Sequence, residues 1–411
     1  MTVKVDPNLM KELKHFGLKD ANKCFHCGNC TAVCPLSEPD NPFPRRLVKY
    51  AQMGLKDKIL HAPEPWLCYY CGDCSDRCPR GADPGETMMS LRRWLTAQYD
   101  FTGFARKFYT SEIFEVAAVA VVAALIGLAF LIFHGPAITD RAVLDSMGVS
   151  VALNTFSPNW IIEILDWLMA VTLSTVLLIN VYRCAKFISK SDRFISSGLK
   201  IFDIPISYYV KRVVYGVWNM VTQWPFNKCT DRVQWIIHLL IFTGYSSVFM
   251  MVVVGLRWFQ RDSVIDPNWP TVSVIMTIVG YYATAAILVA TSYAFIGRIK
   301  KSKRPYKNSH GTDWMFLILL WLTTFTGILV HAFIYLGWAM PTYLIYVFHL
   351  MVAIPMLVLE VPFAKWAHLA YRPTVLFMLA VQEDYKKDQM APAPVVATPA
   401  EAPAEAVEEA A

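Results

Sequence analysis

Cys24, Cys27, Cys30 and Cys34, followed by Pro35, form one C-x2-C-x2-C-x3-C-P run; Cys68, Cys71, Cys74 and Cys78, followed by Pro79, form a second. These two runs limit what the N-terminal part of the chain can fold into. Three thiolates on one tight loop can cap three corners of a cubane, and this is the spacing that surrounds [4Fe–4S] clusters. The fourth cysteine, just before a proline, is turned away and ligates the other cluster of a pair. The spacing therefore predicts Cys24, Cys27, Cys30 and Cys78 on one cluster, and Cys68, Cys71, Cys74 and Cys34 on the second. Structural zinc is the alternative. Zinc favours separated Cys or Cys/His pairs, not four thiols packed into one run and repeated.

Of ten cysteines, only Cys184 and Cys229 lie outside the runs, and both read as spare reduced thiols. The chain of 411 residues is 55% hydrophobic, too apolar for an ordinary soluble protein. Its apolar residues collect after residue 112, in stretches at about 113–133, 160–182, 233–257, 271–297, 313–338 and 342–366. Each reaches the roughly 20 residues that a bilayer core demands of a helix. The first residues, Met1-Thr-Val-Lys-Val-Asp-Pro, carry no apolar signal core, so no cleavable signal is expected to export the head. The loop 183–232 is rich in Lys and Arg, and 298–312 packs in Arg298, Lys300, Lys301, Lys303, Arg304 and Lys307. The opposite side has only Arg141 in 134–159 and no charge near Met340-Pro341. The positive-inside rule then places the head and both termini in the cytoplasm, with the rest in the inner membrane. These charge runs account for the net charge of +6, so nucleic-acid binding has little support.

Helical patterns at 42–54 and 85–99, the latter with Met88, Leu91, Trp94 and Leu95 on one face, accompany the cysteine runs, and strand alternation is weak. The expected fold is all-α: a helical two-cluster ferredoxin domain over 1–105, fused to a six-helix membrane domain over 106–370. Within the latter, 186–231 interleaves Phe, Ile, Tyr and Val with Lys and Ser. It is expected to lie as amphipathic helix along the cytoplasmic interface. Residues 371–411 are expected as a cytoplasmic tail, of which the stretch from about 389 is low in complexity and disordered.

An ionisable residue in a membrane helix is a functional hypothesis by default. Four of nine histidines, His238, His331, His349 and His368, fall in or at the ends of the apolar stretches. Four imidazoles suffice for two bis-histidine b haems, which would make the bundle a cytochrome b. His331 and His349 stand equally far from Met340 along the chain, so a hairpin turning there sets them at one depth, near the outer leaflet. His238 opens the third stretch and His368 ends the sixth, both towards the cytoplasm. The pairs expected are His331 with His349 and His238 with His368, with His134 as a reserve ligand. Polar helix contacts are the plainer alternative for each. His15, His61 and His310 read as head or loop residues, and His26 as a hydrogen-bonding neighbour of a cluster rather than a ligand. Glu163 and Asp166 lie three residues apart on one face near the outer start of the second stretch. They could carry protons at a quinone site or sit among lipid headgroups; Glu360 is a weaker candidate of the same kind.

The head, with Trp66-Leu-Cys68-Tyr-Tyr-Cys71-Gly-Asp-Cys74-Ser-Asp-Arg-Cys78-Pro79-Arg80-Gly81-Ala82, resembles the C subunit of heterodisulfide reductases. The membrane half resembles the cytochrome b subunit of that system and of respiratory nitrate reductase. Their fusion is similar to the C subunits of quinone-interacting membrane-bound oxidoreductase complexes of sulfate-reducing bacteria, over about residues 10–370. The resemblance implies menaquinone as membrane carrier, flavin and Fe–S subunits as cytoplasmic partners, and adenylylsulfate reductase as the terminal acceptor. Nitrate-reductase-type cytochromes carry two haem-ligating histidines on each of two helices, a pattern from which this chain departs. The reading is an electron-transfer subunit passing electrons from menaquinol through b haems to two [4Fe–4S] clusters. The same parts could run in the opposite direction, or serve a heterodisulfide reductase using another carrier. A haem-free membrane anchor for Fe–S partners is the reading from a different class.

Overall fold

The computed structural model describes residues 4–134, 151–195, 203–228, 231–261 and 265–390. Among them there is no strand, only an isolated bridge between Glu38 and Asn41. The all-α expectation agrees with this. The head is built from short helices, α1 (Leu9–Lys14), α2 (Asn29–Val33), α3 (Arg45–Gln52), α4 (Lys56–Leu60), α5 (Glu64–Leu67) and α6 (Asp73–Asp76), and one long one, α7 (Pro84–Tyr99). Helix α7 starts where Pro84 occupies the first turn and the Asp83 carboxylate accepts from the Glu86 amide at 3.2 Å. Met88, Leu91, Trp94 and Leu95 all point into the core, as their spacing requires.

After α8 (Phe104–Thr110) come the membrane helices. Six are long and apolar enough to cross a bilayer: α9 (Glu112–His134), α10 (Asn159–Ile188), α12 (Arg232–Val253), α13 (Pro270–Lys300), α14 (Gly311–Tyr335) and α15 (Ala339–Pro355), the last prolonged to Phe363. Their outer surfaces expose Ile113, Leu131, Leu168, Val171, Leu178 and Ile278. Such a belt would be unfavourable in water and suits lipid. Between α10 and α12 lies α11 (Ile206–Thr222), which also exposes Ile206, Val210, Val214 and Trp218. It fits the amphipathic segment expected there. The final helix is α16 (His368–Met390).

Three expectations change. The sixth apolar stretch does not run on to His368: a π-turn at Met356–Glu360 and a short piece Val361–Phe363 end it, and His368 opens α16. The hairpin between α14 and α15 turns at Leu336–Trp338, not at Met340, so His349 faces Gly327 and Thr326 rather than His331. Residues 371–390, expected as the start of a tail outside both domains, are helical and pack into the core of the head. Tyr371 packs against Trp66 and Tyr99 with ring centroids 5.3 and 5.4 Å apart, and Val375, Met378 and Val381 join the same core as Leu13, Leu47 and Leu91. Helix α11 clamps the outer side of α16 through a bidentate Arg212–Asp384 pair and a Tyr208–Asp388 hydrogen bond of 2.8 Å. The stretch from 391 onward and Cys229 lie outside the described residues, as does the side chain of His134.

The head is fixed to the membrane helices by buried charge. Arg93 of α7 donates to Glu86 at 2.9 Å and reaches Asp313, near the start of α14, at 3.5 Å. Asp313 also receives Lys365 at 2.5 Å, with Arg298 4.0 Å away. Arg93 and Asp313 are under a tenth exposed, so their attraction is little screened. The basic loop that reads as a topology signal docks the head as well: Arg304 meets Asp76 at 2.6 Å, and Asn308 meets Asp83 at 2.5 Å. Asp313→Asn leaves Lys365, Arg93 and Arg298 without their shared anion. It should cost about 3–5 kcal/mol, seen as a lowered melting temperature of the purified protein in detergent; an unchanged melt would show the network to be dispensable.

Candidate functional site

The two cysteine runs fold into the same loop twice. In each, the residue before the second cysteine has a left-handed backbone (His26, φ 62°; Tyr70, φ 55°), and the glycine after it does too (Gly28 and Gly72, both φ 94°). Side chains rarely adopt that region, which is why glycine recurs there. The fold turns the thiols inward and aims backbone amides at them. The His26 amide donates to Cys24 Sγ at 3.4 Å, Tyr70 to Cys68 at 3.3 Å, and Ala82 to Cys78 at 3.3 Å. Helices α2 and α6 then carry the third cysteines, Cys30 and Cys74.

The neighbours of each thiol show which cysteines meet. Burial pushes the Cys30 thiol up, and Cys24, Cys78 and Cys27 add to this. Burial pushes Cys34 up to about 12, with Cys68 and Cys71 adding to it and Cys30 also near. Cys74 is raised by burial and by Cys68, Cys71 and Cys34. Cys78 thus lies within electrostatic reach of Cys30, alongside Cys24 and Cys27, and Cys34 within reach of Cys68, Cys71 and Cys74, which is the sense of the expected exchange between loops. Four sulfurs crowded in a half-buried nest cannot all ionise unless cations sit among them. An iron–sulfur cubane supplies that charge. Among the described residues no three His, Cys, Asp or Glu side chains close on one point as a mononuclear metal requires; a cubane puts each thiolate on a different iron. The second nest borders a small cavity of about 20 Å³ lined by Cys34, Cys68, Cys71 and Cys74. In the first, Cys27 is exposed at the head surface. His26 takes the expected neighbour's place: its Nε2 donates to Gln52 Oε1 at 2.6 Å, while Gln52 holds the Cys24 carbonyl at 3.1 Å.

A second cavity, about 190 Å³, opens where α11, α12 and α16 meet, and His238 and His368 both line it. Their ring centroids are 6.2 Å apart. Two imidazoles sharing one iron at about 2 Å each would stand about 6 Å apart by centroids. Both rings are also set in the tautomer that ligation needs. His238 Nδ1 donates to Gln223 Oε1 at 2.6 Å, and His368 Nδ1 to the Lys365 carbonyl at 2.5 Å. Each Nε2 keeps its lone pair. Burial holds the His368 pKa down at about 3, so the ring stays neutral. Arg372 lines the same cavity and offers a cation to an anionic group. The donor set, the gap and the charge fit a bis-histidine haem.

Tyr69 borders both cavities. Its ring stacks on Phe226 at 5.2 Å, Phe226 meets His238 at 6.0 Å, and Arg372 lies over the Tyr69 ring at 4.2 Å. Tyr69, adjacent to Cys68, and Phe226 therefore link the second thiol nest to the paired imidazoles.

The other histidines are arranged differently. His331 Nε2 hydrogen-bonds the Tyr281 hydroxyl at 2.8 Å, and His349 Nδ1 bonds Thr326 Oγ1 at 2.9 Å. Among the described residues no ring contact joins them. Asp166 lies within electrostatic reach of Glu163 and Tyr346, whose hydroxyl donates to Gln260 Oε1 at 2.9 Å. This polar group also includes Ser157, on the side of the membrane helices away from the head.

Residues 20–82 match the family of 4Fe–4S dicluster domains. The chain is 31% identical over 88 residues to a protein of Archaeoglobus profundus described as like the C subunit of heterodisulfide reductase, covering 21% of this chain and 47% of that one. It is 36% identical over 63 residues to the C subunit of the H(2):CoB-CoM heterodisulfide,ferredoxin reductase of Methanothermobacter thermautotrophicus, covering 15% of this chain and 34% of that one. The matched part thus spans less than half the length of these curated relatives. No solved structure matches. The chain thus carries a 4Fe–4S dicluster domain at its head, similar to the C subunits of heterodisulfide reductases, followed by six helices long and apolar enough to cross a membrane.

Sequence reasoning missed Tyr69, Phe226, Gln223 and Arg372. Arg372 follows His368 by one helical turn, a signal present in the sequence; the others are joined only by the fold. If the crossed grouping is right, Cys34→Ser and Cys71→Ser alter one and the same cluster signal by electron paramagnetic resonance, and Cys78→Ser alters the one changed by Cys27→Ser. Pairing of Cys34 with Cys27 instead would refute it.

Proposed function

We propose that the chain is the membrane electron-transfer subunit of a quinone-linked oxidoreductase complex. The observation that carries this reading is the wall of Tyr69 shared by the imidazole pair and the thiol nest. Haem b and two [4Fe–4S] clusters, when bound, supply one-electron chemistry that the side chains lack. The chain's own residues hold and order these groups. His238 and His368 would hold the haem, their rings fixed by Gln223 and the Lys365 carbonyl. Cys34, Cys68, Cys71 and Cys74 would hold the inner cluster, and Cys24, Cys27, Cys30 and Cys78 the outer one. Tyr69 and Phe226 stack in line between imidazole and thiol. Exposed Cys27 and Phe25 mark the face where a flavin/Fe–S partner takes up or delivers electrons.

The access point for the membrane carrier is assigned to the far side, where Asp166 and Glu163 adjoin the Tyr346–Gln260–Ser157 network. Oxidation of a quinol there frees protons that a carboxylate can accept. Menaquinol as carrier and adenylylsulfate reductase as the distant acceptor follow from the family resemblance. His331 has its Nε2 engaged by the Tyr281 hydroxyl, and among the described residues no ring contact joins it to His349, so the assignment of haem rests on His238 and His368.

His238→Ala and His368→Ala should each remove the same b-type α-band from the dithionite-reduced spectrum while both cluster signals persist. A spectrum without any b-type band in the unaltered protein would leave the haem-free anchor as the reading. Glu163→Gln with Asp166→Asn should slow quinol oxidation at least several-fold with haem content unchanged; full turnover would return both acids to an interfacial role.

A further inference from the structure

Two carboxyl groups outside this path are buried against each other. Glu115, in the first turn of α9, and Glu360, at the end of the π-turn that closes the sixth span, are 1% and 0% exposed. Their side chains are in direct contact. A π-turn adds a residue to one turn of helix and swings the following side chains round. Here it lies between Pro355 and Pro362, and it brings Glu360 off the lipid-facing surface and onto α9. Among the described residues neither Glu360 oxygen has a hydrogen-bond donor in reach. Lys365 is nearby but bound to Asp313. Tyr109 of α8 turns its hydroxyl to Thr96. Glu112 on the same helix and Asp313 on α14 add negative charge.

We propose that Glu115 and Glu360 form a proton-holding site at the junction of head and membrane helices, sharing one proton between two carboxyls and exchanging protons as the redox groups change charge. Two carboxylates in contact without water cannot both stay ionised, and one proton between them satisfies the otherwise partnerless oxygens of Glu360. The chemistry is formation or loss of one O–H bond on a carboxylate oxygen, with water on the head side as proton donor or acceptor. The electron that drives uptake is the one held by the reduced clusters. The link to redox state rests on the electron-transfer reading above; the shared proton does not.

The test is infrared difference spectroscopy of the full-length holoprotein in detergent, in water and in heavy water. Dithionite-reduced minus oxidised spectra should contain a protonated-carboxyl C=O feature that shifts in heavy water. Glu115→Gln and Glu360→Gln should each displace it, and the double variant should abolish it. Glutamine keeps the shape and is neutral, so the double variant should fold and reduce both clusters normally by paramagnetic resonance; if it does not fold, the two single variants decide. A feature unchanged in both single variants, or no carboxyl feature in protein whose clusters reduce fully, overturns the proton site. A normal carboxyl feature in protein without a b-type band supports the site and overturns the haem assignment alone.

Discussion

The packing of Tyr371 between Trp66 and Tyr99 fixes everything else in this molecule. Helix α16 comes after the last membrane span, yet it supplies part of the hydrophobic core of the N-terminal head. Burial of three large aromatic side chains at one contact is worth several kcal/mol, and Arg183 adds hydrogen bonds from α10 to the Tyr99 and Gln98 carbonyls. The same helix carries His368 at its start and Arg372 one turn on. Docking the head on α16 therefore also sets the distance between the cysteine loops and the imidazole pair. A head on a flexible tether would have no such constraint.

Electrostatics acts in the same place. The junction gathers Arg93, Arg298 and Lys365 around Asp313 and Glu86, while the second cysteine loop, through the Tyr70–Glu86 hydrogen bond, and the Glu115–Glu360 pair border it. Buried charge is costly unless compensated, and compensation ties each group to a specific neighbour on another element. The junction is consequently rigid and charge-sensitive at once. An electron arriving in the head changes the field at groups only a few side chains away, which is the physical setting in which a buried carboxyl pair responds by taking a proton.

Much of this is legible in the chain itself. The cysteine spacing indicates both nests and the exchange of Cys34 and Cys78 between them, because a tight loop can direct only three thiols to one point. Hydropathy locates the six spans to within a few residues, since length and apolarity are set by the bilayer. His238 and His368 match by depth, and they do meet. His331 and His349 match by the same reasoning and do not. That symmetry assumes a turn at Met340, whereas the chain turns at Leu336–Trp338, and a shift of a few residues on a helix moves a side chain to another level and face. The π-turn at Glu360 and the role of Tyr69 have no local signal: one is a backbone irregularity, the other a contact between elements far apart in sequence.

The central claim is spatial: imidazole pair, inner thiol nest and outer thiol nest stand in that order. Locating the iron atoms in the purified holoprotein by anomalous scattering tests it most directly. One iron should lie between His238 and His368, with the cluster on Cys34, Cys68, Cys71 and Cys74 as its nearest iron–sulfur neighbour and the other cluster beyond it. No iron between the two imidazoles, or the cluster on Cys24, Cys27, Cys30 and Cys78 lying nearer to them, would contradict the account.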